Sequence, residues 1–125
     1  CEELFEMAKI LVVDDEPSIG EEFRIILQAD GHQVDVALGG EEALQKLRQN
    51  SYDLIFLDVL MPHMEGREVF EKIKSVSEVP VAIISGYMPR HKEKEVLALG
   101  AVACLRKPID LNSIKDLVNS VSQKK

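Results

Sequence analysis

Short apolar runs alternate along the chain with segments whose apolar residues recur at helical spacing. Five mainly apolar runs occupy residues 10–13, 34–37, 54–57, 81–84 and 102–105. Runs of this length are typical of strands that are buried on both faces of a parallel sheet. The pattern therefore predicts five strands that are joined by helical crossovers.

The segments between these runs carry the signals of helix ends. Pro17 suits the first position of a helix, and Gly31 ends the same segment. The fourth segment, about 89–99, is mostly polar, and Asp110 is the expected N-cap of the fifth helix. Right-handed crossovers place helices on both faces of a parallel sheet. The predicted fold is therefore α/β, a three-layer sandwich of a five-stranded, doubly wound parallel sheet and five helices.

Polar residues that suit phosphate chemistry follow the predicted strands. Asp14 and Asp15 come after the first strand, and Asp58 comes after the third. Ser85 follows the fourth strand, and Lys107 stands just beyond the fifth. Because ligands of such sheets bind at the carboxyl ends of the strands, these side chains are expected to meet at one edge. The pattern predicts a phosphoryl-transfer site with a metal socket.

The charges of the predicted site call for a cation. If the first and third strands are neighbours, Asp14, Asp15 and Asp58 lie within several ångströms of one another. At about 5 Å and an effective dielectric of about 20, each like-charge pair costs roughly 3 kcal/mol. Mg²⁺ suits such a site because it takes one or two carboxylates and keeps positions for water and phosphate oxygens. Lys107 adds a positive charge, and an aspartate can act as the nucleophile of phosphoryl transfer.

Composition limits the partners of this site. With 125 residues, 46% hydrophobic and 30% charged, the chain has the size and content of one globular domain. Its formal net charge of −7 argues against direct contact with nucleic acid or with an anionic membrane. We therefore expect a protein or a small phosphodonor as partner. The sequence before Met7 reads as a leader, so the predicted domain spans 7–125 and the leader 1–6.

The cysteines and histidines show no spacing of metal ligands (Cys1, Cys104, His32, His63, His91). Cys104 lies in an apolar run and is expected to be a buried thiol. Cysteine usage, and the lack of a signal peptide or of an apolar stretch long enough to span a membrane, predict a cytoplasmic protein. The histidines are assigned no function, although His63 lies in the loop after Asp58.

Four strings carry a family resemblance. They are ILVVDDEP at 10–17, DVLMP at 58–62 with Gly66 beyond, ISG at 84–86, and LRKP at 105–108 after Gly100 and Ala101. Together, in this order and at these strand ends, they resemble the receiver domain of bacterial two-component response regulators. The resemblance covers about residues 8–122. It implies the strand order 2-1-3-4-5.

The resemblance also implies roles for the residues at the metal socket. Asp58 would be the phosphoacceptor, taking a phosphoryl group from the phosphohistidine of a sensor histidine kinase or phosphotransfer protein. Asp15 would ligate Mg²⁺ directly and Asp14 mainly through water. Asp58 and the backbone carbonyl of Leu60 would complete the protein's ligands.

Two further residues would link phosphorylation to a switch. Ser85 would hydrogen-bond a phosphoryl oxygen, and Lys107 would pair with the phosphoryl group or with Asp58 across a cis Lys107–Pro108 bond. The fourth helix, fifth strand and fifth helix would then rearrange as a surface read by a downstream protein or effector domain. The resemblance implies a signalling domain, a monomer or weak dimer, rather than an enzyme that turns over a metabolite.

The chain departs from the family pattern in three places. Cys104 stands where the family usually has the Tyr or Phe that swings inward on activation, and Tyr87 is the nearest alternative ring. Leu60 and Tyr87 occupy the positions that flank the path of the attacking water, and they are bulky and carry no carboxylate or carboxamide. These residues predict slow hydrolysis of the phosphorylated state. The last strand and helix also lack the charged pattern of receivers that dimerise through that face.

Two other protein classes fit parts of the pattern. A Mg²⁺-dependent aspartyl-phosphate phosphohydrolase usually needs a second acid two residues after its nucleophile, where this chain has Leu60. A flavin mononucleotide module of the same topology needs a Ser/Thr/Gly-rich phosphate loop after the first strand. This chain has Asp14 and Asp15 there, which repel phosphate unless a metal intervenes.

Overall fold

The computed structural model describes residues 7–58, 60–61, 64–86 and 89–122. The elements are, in chain order, β1 Lys9–Val13, α1 Pro17–Gln28, β2 Gln33–Ala37, α2 Gly40–Gln49, β3 Leu54–Asp58, β4 Leu60–Met61, β5 Met64–Glu65, α3 Gly66–Val76, β6 Val81–Ser85, α4 Arg90–Ala98, β7 Ala103–Arg106 and α5 Leu111–Ser122. The leader predicted at 1–6 lies outside the described residues. Among those that are described, no helix has the length and apolar character needed to cross a membrane.

Five of the strands form one parallel sheet in the order β2-β1-β3-β6-β7. Counted along this sheet alone, the order is 2-1-3-4-5, so the predicted fold is confirmed. In the register of the sheet, Val13 of β1 lies opposite Leu57 of β3, and Asp58 lies opposite Ile84 of β6. The ends of the first, third and fourth sheet strands therefore meet at one edge.

The core consists of two layers on opposite faces of the sheet. One layer joins sheet residues such as Leu11 and Ile55 to α2, α3 and α4, and the other joins Ile10 and Phe56 to α1 and α5. Neighbouring residues of a strand point to opposite faces, so a strand that is covered on both sides must be apolar throughout. Phe23 of α1 packs on Phe56 with ring centroids 4.8 Å apart. The three layers of the predicted sandwich are all present.

Helix ends follow the sequence signals closely. Asp110 caps α5, since its Oδ2 accepts a hydrogen bond from the Ser113 N–H at 3.0 Å. Gly31 adopts the left-handed backbone, with φ +92°, three residues after the end of α1. This conformation favours glycine, which explains why the segment stops there.

A short antiparallel hairpin of β4 and β5 was not predicted. It pairs Leu60 with Glu65 and Met61 with Met64, directly before α3. Two-residue strands are too short to show alternation or an apolar run. The hairpin follows Asp58 closely and connects the edge of the sheet to α3.

His32 is a buried residue to which the sequence assigned no function. Its side chain is at the opposite end of the sheet from Asp58, and it is 6% exposed. Its Nδ1 accepts a hydrogen bond from the Ala8 N–H at 3.0 Å, so it connects the start of β1 to the α1–β2 loop. Burial lowers the pKa of His32 below its ordinary value of 6.5, although the nearby Asp30 acts in the opposite direction. The folded protein therefore favours neutral His32.

We expect this histidine to make the fold less stable in mild acid. The unfolded chain binds the proton more readily, so the stabilisation is full above pH 6.5 and declines as pH falls below that value. In His32→Asn, Oδ1 can accept the same hydrogen bond without titrating, so the free energy of unfolding should fall less between about pH 7 and about pH 5. Chemical denaturation at several pH values measures this. The exposed His91→Asn is the control, and equal pH slopes in wild type and His32→Asn would refute the assignment.

Candidate functional site

Three aspartates meet at the carboxyl edge of the sheet, as the sequence predicted. Asp14 and Asp15 follow β1, and Asp58 is the last residue of β3. One carboxylate oxygen from each lies within 4.8 Å of the others, and at that distance and an effective dielectric of about 20 each like-charge pair costs roughly 3 kcal/mol. Asp14 and Asp58 are buried, whereas Asp15 is exposed. The arrangement requires neighbouring positive charge.

The Asp14 carboxylate has one oxygen that the protein leaves without a hydrogen bond. Oδ1 accepts a hydrogen bond from the Glu16 N–H at 2.9 Å. Oδ2 is buried and accepts no hydrogen bond from any described group, although the Lys107 Nζ lies 3.0 Å away as an ion pair. The Lys107 ammonium balances the charge of this oxygen but leaves its hydrogen-bonding capacity unfilled. Mg²⁺, bound directly or through water, would satisfy it, so the residues present fit a hard divalent cation that prefers oxygen ligands.

Lys107 reaches the aspartates from the neighbouring end of the sheet. Its N–H donates a hydrogen bond to the Ser85 carbonyl at 2.8 Å, which fixes its backbone just beyond β7. The ammonium donates a hydrogen bond to Asp58 Oδ2 at 3.2 Å. Burial lowers the pKa of Lys107, but Asp14 and Asp58 outweigh it and raise the pKa above the ordinary value. Lys107 therefore stays charged, and its bond to Pro108 is cis, as the resemblance implied.

Ser85 lies at the same edge as the aspartates. It is the last residue of β6 and is fully buried. The preceding residue, Ile84, lies opposite Asp58, so the sheet places Ser85 one step beyond the phosphoacceptor candidate. Leu60 follows two residues after Asp58, in β4. The metal-ligand role of its carbonyl stays a prediction.

At residue 104, where the family that the chain resembles usually has an aromatic ring, the chain has a half-buried thiol. The sequence predicted a buried thiol, but Cys104 is only partly covered because β7 is an edge strand of the sheet. Cys104 lies in β7 opposite Ile83, forms no disulfide, and packs against the core layer beneath α2, α3 and α4. Burial and the charge of Glu93 raise the pKa of this thiol, while Arg106 opposes them. A protonated thiol is a poor nucleophile, and the position of Cys104 against the core is that of a small packing residue. Tyr87, the alternative ring, lies outside the described residues, as does the side chain of Leu60.

Glu16 is a member of this site that sequence reasoning missed. Its Oε1 lies 3.7 Å from the Lys107 Nζ. It directly follows Asp14 and Asp15 in the DDEP string, so the sequence does show that it lies near the predicted site. The sequence does not show its contact with Lys107, because that contact joins the start of α1 to the end of β7.

The family model of the response regulator receiver domain matches residues 10–119. The chain belongs to this family. The receiver domain is 40% identical over 104 residues to the transcriptional regulatory protein CpxR homolog of Haemophilus influenzae, covering 83% of this chain and 45% of that protein. It is 31% identical to the response regulator ArlR of Staphylococcus saprophyticus, over 86% of this chain and 49% of that protein. The chain thus spans about half the length of these relatives.

This chain also has the fold of a solved response regulator structure. The response regulator TrrA of Thermotoga maritima, in complex with Mg²⁺-BeF, is 34% identical with a TM-score of 0.80, over 92% of this receiver domain and 99% of that chain. The predicted resemblance is confirmed, and membership of this family favours a signalling domain over the phosphohydrolase.

Proposed function

We propose that this receiver domain accepts a phosphoryl group on Asp58 in a Mg²⁺-dependent reaction. The donor is the phosphohistidine of a sensor histidine kinase or phosphotransfer protein. One observation carries the proposal: the Asp58 carboxylate lies in a cluster with Asp14 and Asp15 while it accepts a hydrogen bond from the Lys107 ammonium. This arrangement combines a carboxylate nucleophile, oxygen ligands for a metal, and a fixed cation.

The proposed reaction needs little beyond positioning and charge neutralisation. An oxygen of the ionised Asp58 carboxylate forms a bond to phosphorus as the bond from phosphorus to the histidine nitrogen breaks. The leaving nitrogen keeps the electron pair, and no proton has to be removed from Asp58. Lys107 neutralises charge on the phosphoryl oxygens and on Asp58.

The metal would be held by the three aspartates and the backbone carbonyl of Leu60. When bound, Mg²⁺ supplies positive charge to the phosphoryl oxygens. The Mg²⁺-BeF complex of TrrA supports such a site in a relative of the same fold. The oxygen of Asp14 that lacks a hydrogen bond supports it in this chain.

Phosphorylation of Asp58 would change a partner-binding surface of the domain, and the domain would not convert a metabolite. Ser85 would hydrogen-bond a phosphoryl oxygen and Lys107 would pair with the group. Ser85 ends β6, which precedes α4, and Lys107 follows β7, which comes after α4. A movement of either side chain would therefore shift α4, β7 and α5. A downstream protein or effector domain would read this face, with the domain acting as a monomer or weak dimer.

Incubation with acetyl phosphate tests the proposal without knowledge of the kinase. In the presence of Mg²⁺, we expect intact-mass spectrometry to show one added phosphoryl group. EDTA should prevent the addition, and hydroxylamine should remove the group because acyl phosphates react with it. A stable phosphoryl group that survives hydroxylamine would refute an aspartyl phosphate. Steady turnover of a generic phosphomonoester would favour the phosphohydrolase.

A further inference from the structure

The Lys107 ammonium lies among three carboxylates of unequal burial. Its Nζ is 3.0 Å from Asp14 Oδ2, 3.2 Å from Asp58 Oδ2 and 3.7 Å from Glu16 Oε1. Asp14 and Asp58 are buried, whereas the Glu16 side chain is 65% exposed. The nearest carboxylate is thus also part of the cluster that would hold a metal.

Lys107 and a divalent cation compete for Asp14. Two cations at the same carboxylate oxygen repel each other, so a metal at the aspartate cluster weakens the contact between Lys107 and Asp14. The lysine must nevertheless stay beside Asp58 to neutralise the phosphoryl group. A second acceptor near Asp58 would hold the ammonium there.

Glu16 has the position and the freedom to be that acceptor. Its backbone is held beside Asp14, because its N–H donates to Asp14 Oδ1 and its carbonyl accepts a hydrogen bond from the Ile19 N–H at 3.1 Å. Glu16 is the N-cap residue before Pro17, the first residue of α1, and its backbone is extended rather than helical. The exposed side chain can follow the ammonium over a short distance.

We propose that Glu16 is a positioning residue, which takes up the Lys107 ammonium when a divalent cation occupies Asp14. It thereby lowers the cost of metal binding and keeps Lys107 next to Asp58. The proposal rests on the proposed function, since it assumes the Mg²⁺ site. It differs from a general effect of negative charge near the metal, because it acts only through Lys107.

A double-mutant cycle separates these two effects. Mg²⁺ affinity is measured by amide chemical-shift titration for wild type, Glu16→Gln, Lys107→Ala and the double variant, without any phosphodonor. We expect Lys107→Ala to bind Mg²⁺ more tightly than wild type, because a competing cation is removed. Glu16→Gln should weaken binding about threefold or more when Lys107 is present and less than about twofold when it is absent.

The same Mg²⁺ titrations include a control variant and show which results would overturn the proposal. Glu22→Gln removes one negative charge from an exposed position of α1 and should leave Mg²⁺ affinity unchanged. Equal weakening by Glu16→Gln in both Lys107 backgrounds, or the same loss in Glu22→Gln, would overturn the positioning role and leave the proposed function intact. If wild type binds no Mg²⁺ at all, both this proposal and the proposed function are overturned.

Discussion

Replacing Asp58 with Asn should reduce phosphoryl incorporation from acetyl phosphate to below detection. The buried carboxylate, 3% exposed, lies beside Lys107 and the other two aspartates, and an amide in its place cannot form an acyl phosphate. The amide oxygen of Asn can still accept the hydrogen bond from Lys107, so the fold should survive. Intact-mass spectrometry measures the loss, and thermal unfolding verifies that the variant is folded.

Asp116→Asn provides the matched control for this loss. Asp116 lies exposed on α5, and its replacement removes the same charge without touching the sheet edge. It should incorporate one phosphoryl group as wild type does. Wild-type incorporation in Asp58→Asn would show that another residue accepts the phosphoryl group.

Asp15→Asn should remove most of the Mg²⁺ affinity and, with it, phosphorylation. Asp15 is the exposed member of the aspartate cluster, so its carboxylate can bind a hydrated ion without first leaving a buried partner. Losing one anionic ligand should weaken binding by at least roughly tenfold, because changing the partners that merely orient a metal ligand already costs about tenfold to a hundredfold. Isothermal titration with Mg²⁺ measures the affinity directly.

Asp14→Asn is the comparison that shows whether the loss of Mg²⁺ affinity is specific to Asp15. Asp14 is engaged with Lys107 and with the Glu16 N–H, so its replacement should weaken Mg²⁺ binding less than that of Asp15. Metal-free Asp15→Asn should be no less stable than wild type, because one like charge has left the cluster. An unchanged Mg²⁺ affinity in Asp15→Asn would rule out this metal site.

The places of the site residues along the chain could be predicted because strands that are buried in a parallel sheet appear in the sequence as short apolar runs. A strand that is covered on both faces must be apolar throughout, so the polar residue that follows it marks the strand end. Asp58 and Lys107 are separated by 49 residues, yet the register of the sheet brings them to 3.2 Å. The strand order, which the family resemblance implied, was then sufficient to expect that these residues meet.

Features that depend on side-chain packing could not be predicted in this way. His32 stands in a polar stretch, and its burial follows from how the α1–β2 loop lies against the start of β1. Tyr52 likewise donates a hydrogen bond to Asp35 at 2.6 Å, a contact between side chains on β2 and just before β3. No local pattern specifies such pairs, because the partners come from segments that are distant in the chain. Glu16 belongs to the same group.

Chemical localisation of the phosphoryl group tests the central claim most directly. Borohydride reduces an aspartyl phosphate to homoserine, and peptide mass spectrometry then identifies the modified position. After treatment with acetyl phosphate and Mg²⁺, we predict homoserine at position 58 alone. Homoserine at position 14 or 15, or a phosphoryl group on a serine or histidine with position 58 unmodified, would contradict the proposal that Asp58 is the phosphoacceptor.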